Sequence, residues 1–167
     1  RLGLVCLLAA ASASAATNWT LNTDDTRLTL RADATGGLSI IELICPASGW
    51  NWVASTSQFP LVSRVDIGTN QYTPGWLYKT AAIAATNGTK VTITFTNASP
   101  AMELVSEWHA RPGPGPVRHA MTIKNIGGQT ITLYEQETFD VHVVGPTANA
   151  GMWHFSDDGQ QAQDQGT

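Results

Sequence analysis

The chain has 167 residues, a formal charge of −4, 43% hydrophobic residues and only 13% charged ones. So small a charged fraction excludes a charge-rich disordered tail or a coiled coil, and the mild acidity argues against a nucleic-acid partner, which would need a basic patch. A chain this long can bury about 70% of its unfolded surface, so the length predicts one domain.

The sequence opens at Arg1 without a Met and closes on the polar run Gln160-Gln161-Ala162-Gln163-Asp164-Gln165-Gly166-Thr167. It therefore reads as a fragment, or as a domain cut from a longer chain. Residues 1–15 read as a secretory signal peptide. Arg1 precedes the apolar run Leu2-Gly3-Leu4-Val5-Cys6-Leu7-Leu8, and a small-residue tract follows, with cleavage expected after Ala13 or Ala15. The run is too short to span a bilayer. A secreted or periplasmic location follows, with no membrane contact once the signal is removed. Cleavage would take Cys6 and leave Cys45 without a disulfide partner. Cys45 follows Ile40, Ile41, Leu43 and Ile44, which predicts a small buried apolar residue rather than a nucleophile.

Residues 16–156 read as one all-β domain. Leu28, Leu30 and Ala32 alternate with Arg27, Thr29 and Arg31; Val91, Ile93 and Phe95 alternate with threonines. Met102, Leu104, Ser106 and Trp108 alternate with Glu103, Val105, Glu107 and His109, and His119, Met121 and Ile123 with Arg118, Ala120, Thr122 and Lys124. Period two with one apolar face is the signature of a half-buried strand. Ala81 to Ala85 reads as an edge or connecting strand. Gly36-Gly37, Asn87-Gly88 and Gly127-Gly128 separate the runs and supply tight-turn geometry, with Asn125-Ile126-Gly127-Gly128 the strongest hairpin signal. The loop Arg111-Pro112-Gly113-Pro114-Gly115-Pro116 forbids helix and regular pairing and reads as a shaped connection. From Thr130 to Val144 no breaker interrupts the alternation, which predicts one unusually long strand. Residues 157–167 read as a linker, or the start of a catalytic domain that follows. The fold class is an antiparallel β-sandwich or barrel.

Candidate chemistry is sparse. Glu135 and Glu137 fall on the apolar face of the long strand, where paired carboxylates could serve acid–base work on a sugar; a β-bulge between Leu133 and Phe139 would instead turn both outward. His109, His119, His142 and His154 have no metal-ligand spacing. A histidine with a carboxylate could serve a mutarotase-like sugar epimerase, or each could be an ordinary hydrogen-bonded histidine. Arg111 and Arg118 could hold Glu103 or Glu107, or face solvent. Among the six tryptophans, Trp50 and Trp52 sit in Gly49-Trp50-Asn51-Trp52, in or near a loop. Indole faces stack on pyranose rings and anchor interfaces, so this pair is the candidate substrate-binding element; core filling is the alternative. No catalytic residue, metal site or cofactor is expected.

Several segments taken together resemble the N-terminal β-supersandwich domain of bacterial α-galactosidase (melibiase-type) glycoside hydrolases. They are Leu28-Thr29-Leu30 with Gly37-Leu38-Ser39-Ile40, Leu104-Val105-Ser106-Glu107-Trp108, Arg118-His119-Ala120-Met121-Thr122-Ile123-Lys124-Asn125, and Tyr134-Glu135-Gln136-Glu137-Thr138-Phe139-Asp140. The resemblance implies a supersandwich of the galactose-mutarotase-like kind. It also implies a downstream (β/α)8 barrel in the same chain, where the family's two catalytic aspartates lie; they have no counterparts here. It implies an accessory domain of a secreted glycoside hydrolase, with carbohydrate as a partner and oligomer contacts possible. A free-standing carbohydrate-binding module is the other reading.

Overall fold

The computed structural model describes residues 16–33, 35–56, 58–59, 61–137 and 141–144, with only the backbone described at 135–137. The expected signal peptide, the expected 157–167 linker, Trp153 and His154 lie outside the described residues. The chain is all-β, with no helix among the described residues.

The strands in chain order are β1 (Thr17–Asn22), β2 (Arg27–Ala32), β3 (Leu38–Cys45), β4 (Trp50–Asn51), β5 (Val53–Ser55), β6 (Gln58–Phe59) and β7 (Leu61–Ile67). There follow β8 (Asn70–Tyr72), β9 (Leu77–Ala84), β10 (Thr89–Asn97), β11 (Met102–Ala110), β12 (Arg118–Asn125), β13 (Thr132–Glu137) and β14 (His142–Val143). One sheet runs β1-β2-β3-β4, with β6 also on β3; a second runs β12-β11-β10-β9. A third has the order β13-β7-β8, and β14 pairs with β5. All pairings are antiparallel.

The alternation read from the sequence decides what is buried. Leu28, Leu30, Leu38 and Ile40 of the first sheet share one core with Val91, Ile93, Phe95, Leu104 and Trp108 of the second. The Phe59 and Trp108 rings stack with centroids 6.4 Å apart, and Trp19 meets Tyr78 at 6.2 Å. These contacts join the two sheets face to face as a β-sandwich. The third sheet adds Leu61, Val62 and Val65 to the same core. Trp76 ties it in by donating its indole N–H to the Val62 carbonyl at 3.2 Å. On the outer side of that sheet, the Arg64 guanidinium lies 4.6 Å from the centroid of the Tyr134 ring opposite it. Ser106 is the polar exception on the buried stripe. Its hydroxyl accepts the Trp108 indole N–H at 2.8 Å and bonds His119 Nε2 at 2.9 Å, so nothing there is left unsatisfied.

Two of the three glycine turns form the expected hairpins. Gly36-Gly37 joins β2 to β3, and Asn87-Gly88, with φ of 56° and 104°, joins β9 to β10. The segment with the strongest hairpin signal does not form one. β12 pairs with β11, whereas β13 pairs with β7 in another sheet. The turn chemistry is nonetheless real: Asn125 Oδ1 accepts the Gly127 N–H at 3.0 Å, and the Asn125 amide donates to the Gln129 carbonyl at 2.7 Å. The Ala101 carbonyl then captures the Ile126 and Gly127 N–H groups, and the chain crosses between sheets. The long strand predicted over 130–144 is likewise divided. Thr132–Glu137 pairs with β7, and His142–Val143 pairs with β5. Unbroken alternation allows an extended chain but cannot say that it keeps one partner.

The Pro-Gly loop between β11 and β12 is shaped, as expected, and it is anchored. Both carboxylate oxygens of Asp25 accept the Gly115 N–H, at 3.0 and 3.1 Å, and the Thr23 hydroxyl lies 2.9 Å from both Asp25 Oδ1 and the Gly115 carbonyl, its one proton shared between them. The Gly115 N–H, then the Thr23 hydroxyl, hold the Asp25 carboxyl below the ordinary carboxylate range. A carboxylate lowered by folding contributes fully above its unfolded pKa, and that contribution is lost as pH falls through the lowered value. Protection of the Gly115 amide against hydrogen exchange, corrected for intrinsic rates, should therefore fall on acidification below about pH 4. In Asp25→Ala it should be low at every pH. Equal protection in the two proteins at neutral pH would refute the anchor.

Candidate functional site

Trp50 and Trp52 stand at the end of the first sheet, on a backbone tied down on several sides. β3 ends in a tight turn in which Gly49, at φ 68°, donates its N–H to the Cys45 carbonyl at 2.8 Å. Trp50 then pairs with Cys45, and Asn51 with Ile44. The Asn51 side-chain oxygen accepts the N–H groups of Leu43 and Val53, each at 3.1 Å. Trp52 N–H donates to the Leu43 carbonyl, and the Trp52 carbonyl accepts the Val144 N–H, both at 2.8 Å. With the main chain so engaged, both indoles project outward and remain 47% and 46% exposed. By contrast, Trp19, Trp76 and Trp108 are buried. Core filling is thus the role of those three and not of the candidate pair.

The two exposed rings lie 6.3 Å apart and are inclined at 75°. They form a corner, not a platform. Beside Trp52 opens a hollow of about 300 Å³, lined by Leu43, Cys45 and Val143 with Asp25 and Thr26 at its edge. The exposed Val143 and Val144 extend this apolar rim. A ring stacked on one indole would meet the second as a side wall. Two surfaces so inclined cannot both lie flat on a planar polysaccharide sheet.

Cys45 departs from expectation: it is half-buried and lines that hollow. Cys45 is the last residue of β3, where the strand runs out into the turn. Earlier in β3, Thr29 pairs with Glu42 but Leu30 with Ile40, so Ile41 is an extra residue and the alternation changes phase. Leu43 turns towards the core. The Ser48 hydroxyl, then its backbone N–H, draw the thiol below its ordinary range, with slight burial opposing them.

The remaining candidates are dispersed. His109 donates Nε2–H to the Asn87 carbonyl at 3.1 Å, and His142 Nδ1 bonds Ser55 at 3.1 Å. His119 stacks on Trp108 with centroids 3.9 Å apart. Among the described residues no three of His, Cys, Asp and Glu come together as a metal cluster. Glu135 and Glu137 belong to β13, whose register with β7 runs unshifted from Thr132 to Glu137, so no bulge interrupts that stretch. Their side chains lie outside the described residues. Glu103 and Glu107 are paired, but with Lys79 and Lys90. The Lys79 pair measures 2.8 Å, and its hydrogen bond lowers the Glu103 carboxyl. Arg111 and Arg118 form no ion pair among the described residues.

The Ser106–His119 contact was not anticipated, although a serine in the stripe Met102, Leu104, Ser106, Trp108 is visible in the sequence. At 2.9 Å it has the spacing of a nucleophile and its base. Ser106 is fully buried and already accepts the Trp108 N–H, so no substrate can reach it. Its chemistry is that of core satisfaction.

Fold and site together define an all-β sandwich with an exposed tryptophan corner at one end of a sheet. No family model, curated protein or solved structure matches the chain.

Proposed function

We propose that this chain is an accessory β-sandwich of a secreted glycoside hydrolase, of the α-galactosidase-like kind, that performs no chemistry itself and contacts sugar through Trp50 and Trp52. The observation that carries the reading is the corner of two half-exposed indoles on a backbone pinned by hydrogen bonds. Exposed indoles held in place lose little entropy on binding, and each offers an apolar face with an N–H at its edge. The inclination favours one ring of a soluble oligosaccharide over a crystalline surface. A catalytic (β/α)8 barrel following in the same chain would place this corner beside an active site. A free-standing binding module would use the same corner, and reading the gene beyond Thr167 separates the two.

Titration with galacto-oligosaccharides should change the tryptophan emission in a saturable way. Trp52→Ala should weaken binding at least about tenfold, a loss of about 1.4 kcal/mol. Trp50→Ala should weaken it comparably, and both variants should stay folded, because both rings stand outside the core. An unresponsive emission, or an affinity unchanged in Trp52→Ala, would rule out sugar contact at this corner.

A further inference from the structure

On the outer face of the first sheet, away from the tryptophan corner, Arg31, Ser39 and Gln58 form one row across β2, β3 and β6. Arg31 pairs with Ser39, and Ser39 pairs with Gln58. Residues directly opposite in an antiparallel pair project to the same side, with Cβ atoms about 5 Å apart. The row, with Asp33 and Thr56, lines a polar hollow of about 290 Å³. Ser39 forms its floor and is only 4% exposed, while Arg31, Thr56 and Gln58 stand exposed around it.

The hydrogen bonding of this hollow is uneven. Asp33 is saturated. Its Oδ1 accepts the Thr35 hydroxyl at 2.7 Å and the N–H groups of Gly37 and Thr35 at 2.8 and 3.0 Å. Its Oδ2 accepts the Gln58 amide N–H at 2.6 Å. That bond orients Gln58, whose carbonyl oxygen accepts no hydrogen bond among the described residues. Partial burial raises the Asp33 carboxyl, but the bonds from Thr35 and Gly37 with the nearby Arg31 charge outweigh it, and the group is held ionised. Ser39 is the opposite case. It has no side-chain hydrogen-bond partner among the described residues, unlike the other buried polar side chains Thr29, Asn97 and Ser106. A hydroxyl with no partner among these residues, facing a polar hollow, is available to whatever fills that hollow. Arg31 likewise forms no ion pair among the described residues.

We propose that this hollow is a second binding site, for the carboxylate and hydroxyls of a uronic acid unit. The Arg31 guanidinium, in no ion pair among the described residues, offers a planar fork that matches a carboxylate. Ser39 supplies the buried hydroxyl, Thr56 a second hydroxyl and Gln58 an acceptor for the sugar's own O–H groups. Asp33 is a positioning residue: it holds Gln58 and closes the turn, and its oxygens are taken up by four donors of the protein.

The test is an amide chemical-shift titration of the full chain with galacturonate, with galactose and inorganic phosphate as counterparts. Galacturonate should shift the Ser39, Thr56 and Gln58 amides in a saturable way and bind at least about tenfold more tightly than galactose or phosphate. Arg31→Gln should lose that preference, and its exposed position leaves the fold intact. Ser39→Ala should weaken galacturonate binding several-fold and leave the thermal midpoint nearly unchanged, because the hydroxyl makes no side-chain bond among the described residues and opens onto the hollow. Trp52→Ala should leave this binding unchanged, which separates the hollow from the tryptophan corner. Absent shifts, equal binding of galactose, equal binding of phosphate, or full affinity in Arg31→Gln would each overturn the proposal.

Discussion

Trp108→Ala is expected to lower the unfolding free energy by about 4 kcal/mol, at the upper end for a large-to-small core change. Three losses combine. The indole is 2% exposed and stands between the sheets, so its removal opens a cavity that flanking strands cannot close. The stacking on Phe59 and on the His119 ring disappears with it. Ser106, fully buried, loses the N–H donor at 2.8 Å that satisfies its hydroxyl. Trp108→Phe separates these effects. It keeps an aromatic ring but not the donor, and should destabilise by about 2 kcal/mol. Urea denaturation measures both. A loss below about 1.5 kcal/mol for alanine would mean that the ring does not join the sheets.

Gly36→Ala is expected to be nearly as damaging, although it adds one methyl group. Gly36 sits at φ 86°, a left-handed conformation that costs a non-glycine residue about 1–2 kcal/mol. A Cβ there would also lie 1.8 Å from the Trp76 carbonyl oxygen and 2.4 Å from its carbon. Both are backbone atoms, so no side chain can swing aside. Either the β2–β3 turn or the segment leading into β9 must shift, against the buried Trp76 and its bond to Val62. A total of about 3 kcal/mol or more is expected. Gly49→Ala is the matched control. Its φ is 68°, but an added Cβ meets nothing within 4 Å, so it bears only the conformational term. Similar thermal midpoints for the two variants would show that the close approach to Trp76 does not matter.

Much of the fold is legible in residue order. The alternating stripes of β10 and β11 name their buried members residue by residue, because a strand sends successive side chains to opposite faces and one face is apolar. The glycine turns are legible wherever the connection is local. At Asn125 to Gly128 the same chemistry makes a turn but not a hairpin, because a turn reverses a chain without selecting its partner. The length of the 130–144 run misleads for a related reason. Alternation reports which face is apolar, not which strand lies beside it, and β7 and β5 divide the run between them.

The candidate site divides in the same way. That Trp50 and Trp52 belong together follows from their spacing of two residues, and that they are not core follows only from the turn at Cys45 and the bonds around Asn51. The inclination of the rings is a side-chain matter that no spacing encodes. Cys45 reads as buried because apolar residues precede it, but it is the last residue of its strand, and where a strand ends is set by its pairing. The hollow at Ser39 is invisible in the sequence, where Arg31, Ser39 and Gln58 are scattered polar residues.

Residue order alone thus settled the all-β class, the stripes that become the core and the adjacency of the two indoles, because these depend on period and near neighbours. Strand partners, the sheet crossing after Asn125, the exposure of the tryptophan corner and the row across β2, β3 and β6 were decided only by tertiary pairing. Register brings together side chains whose separation along the chain carries no local signal.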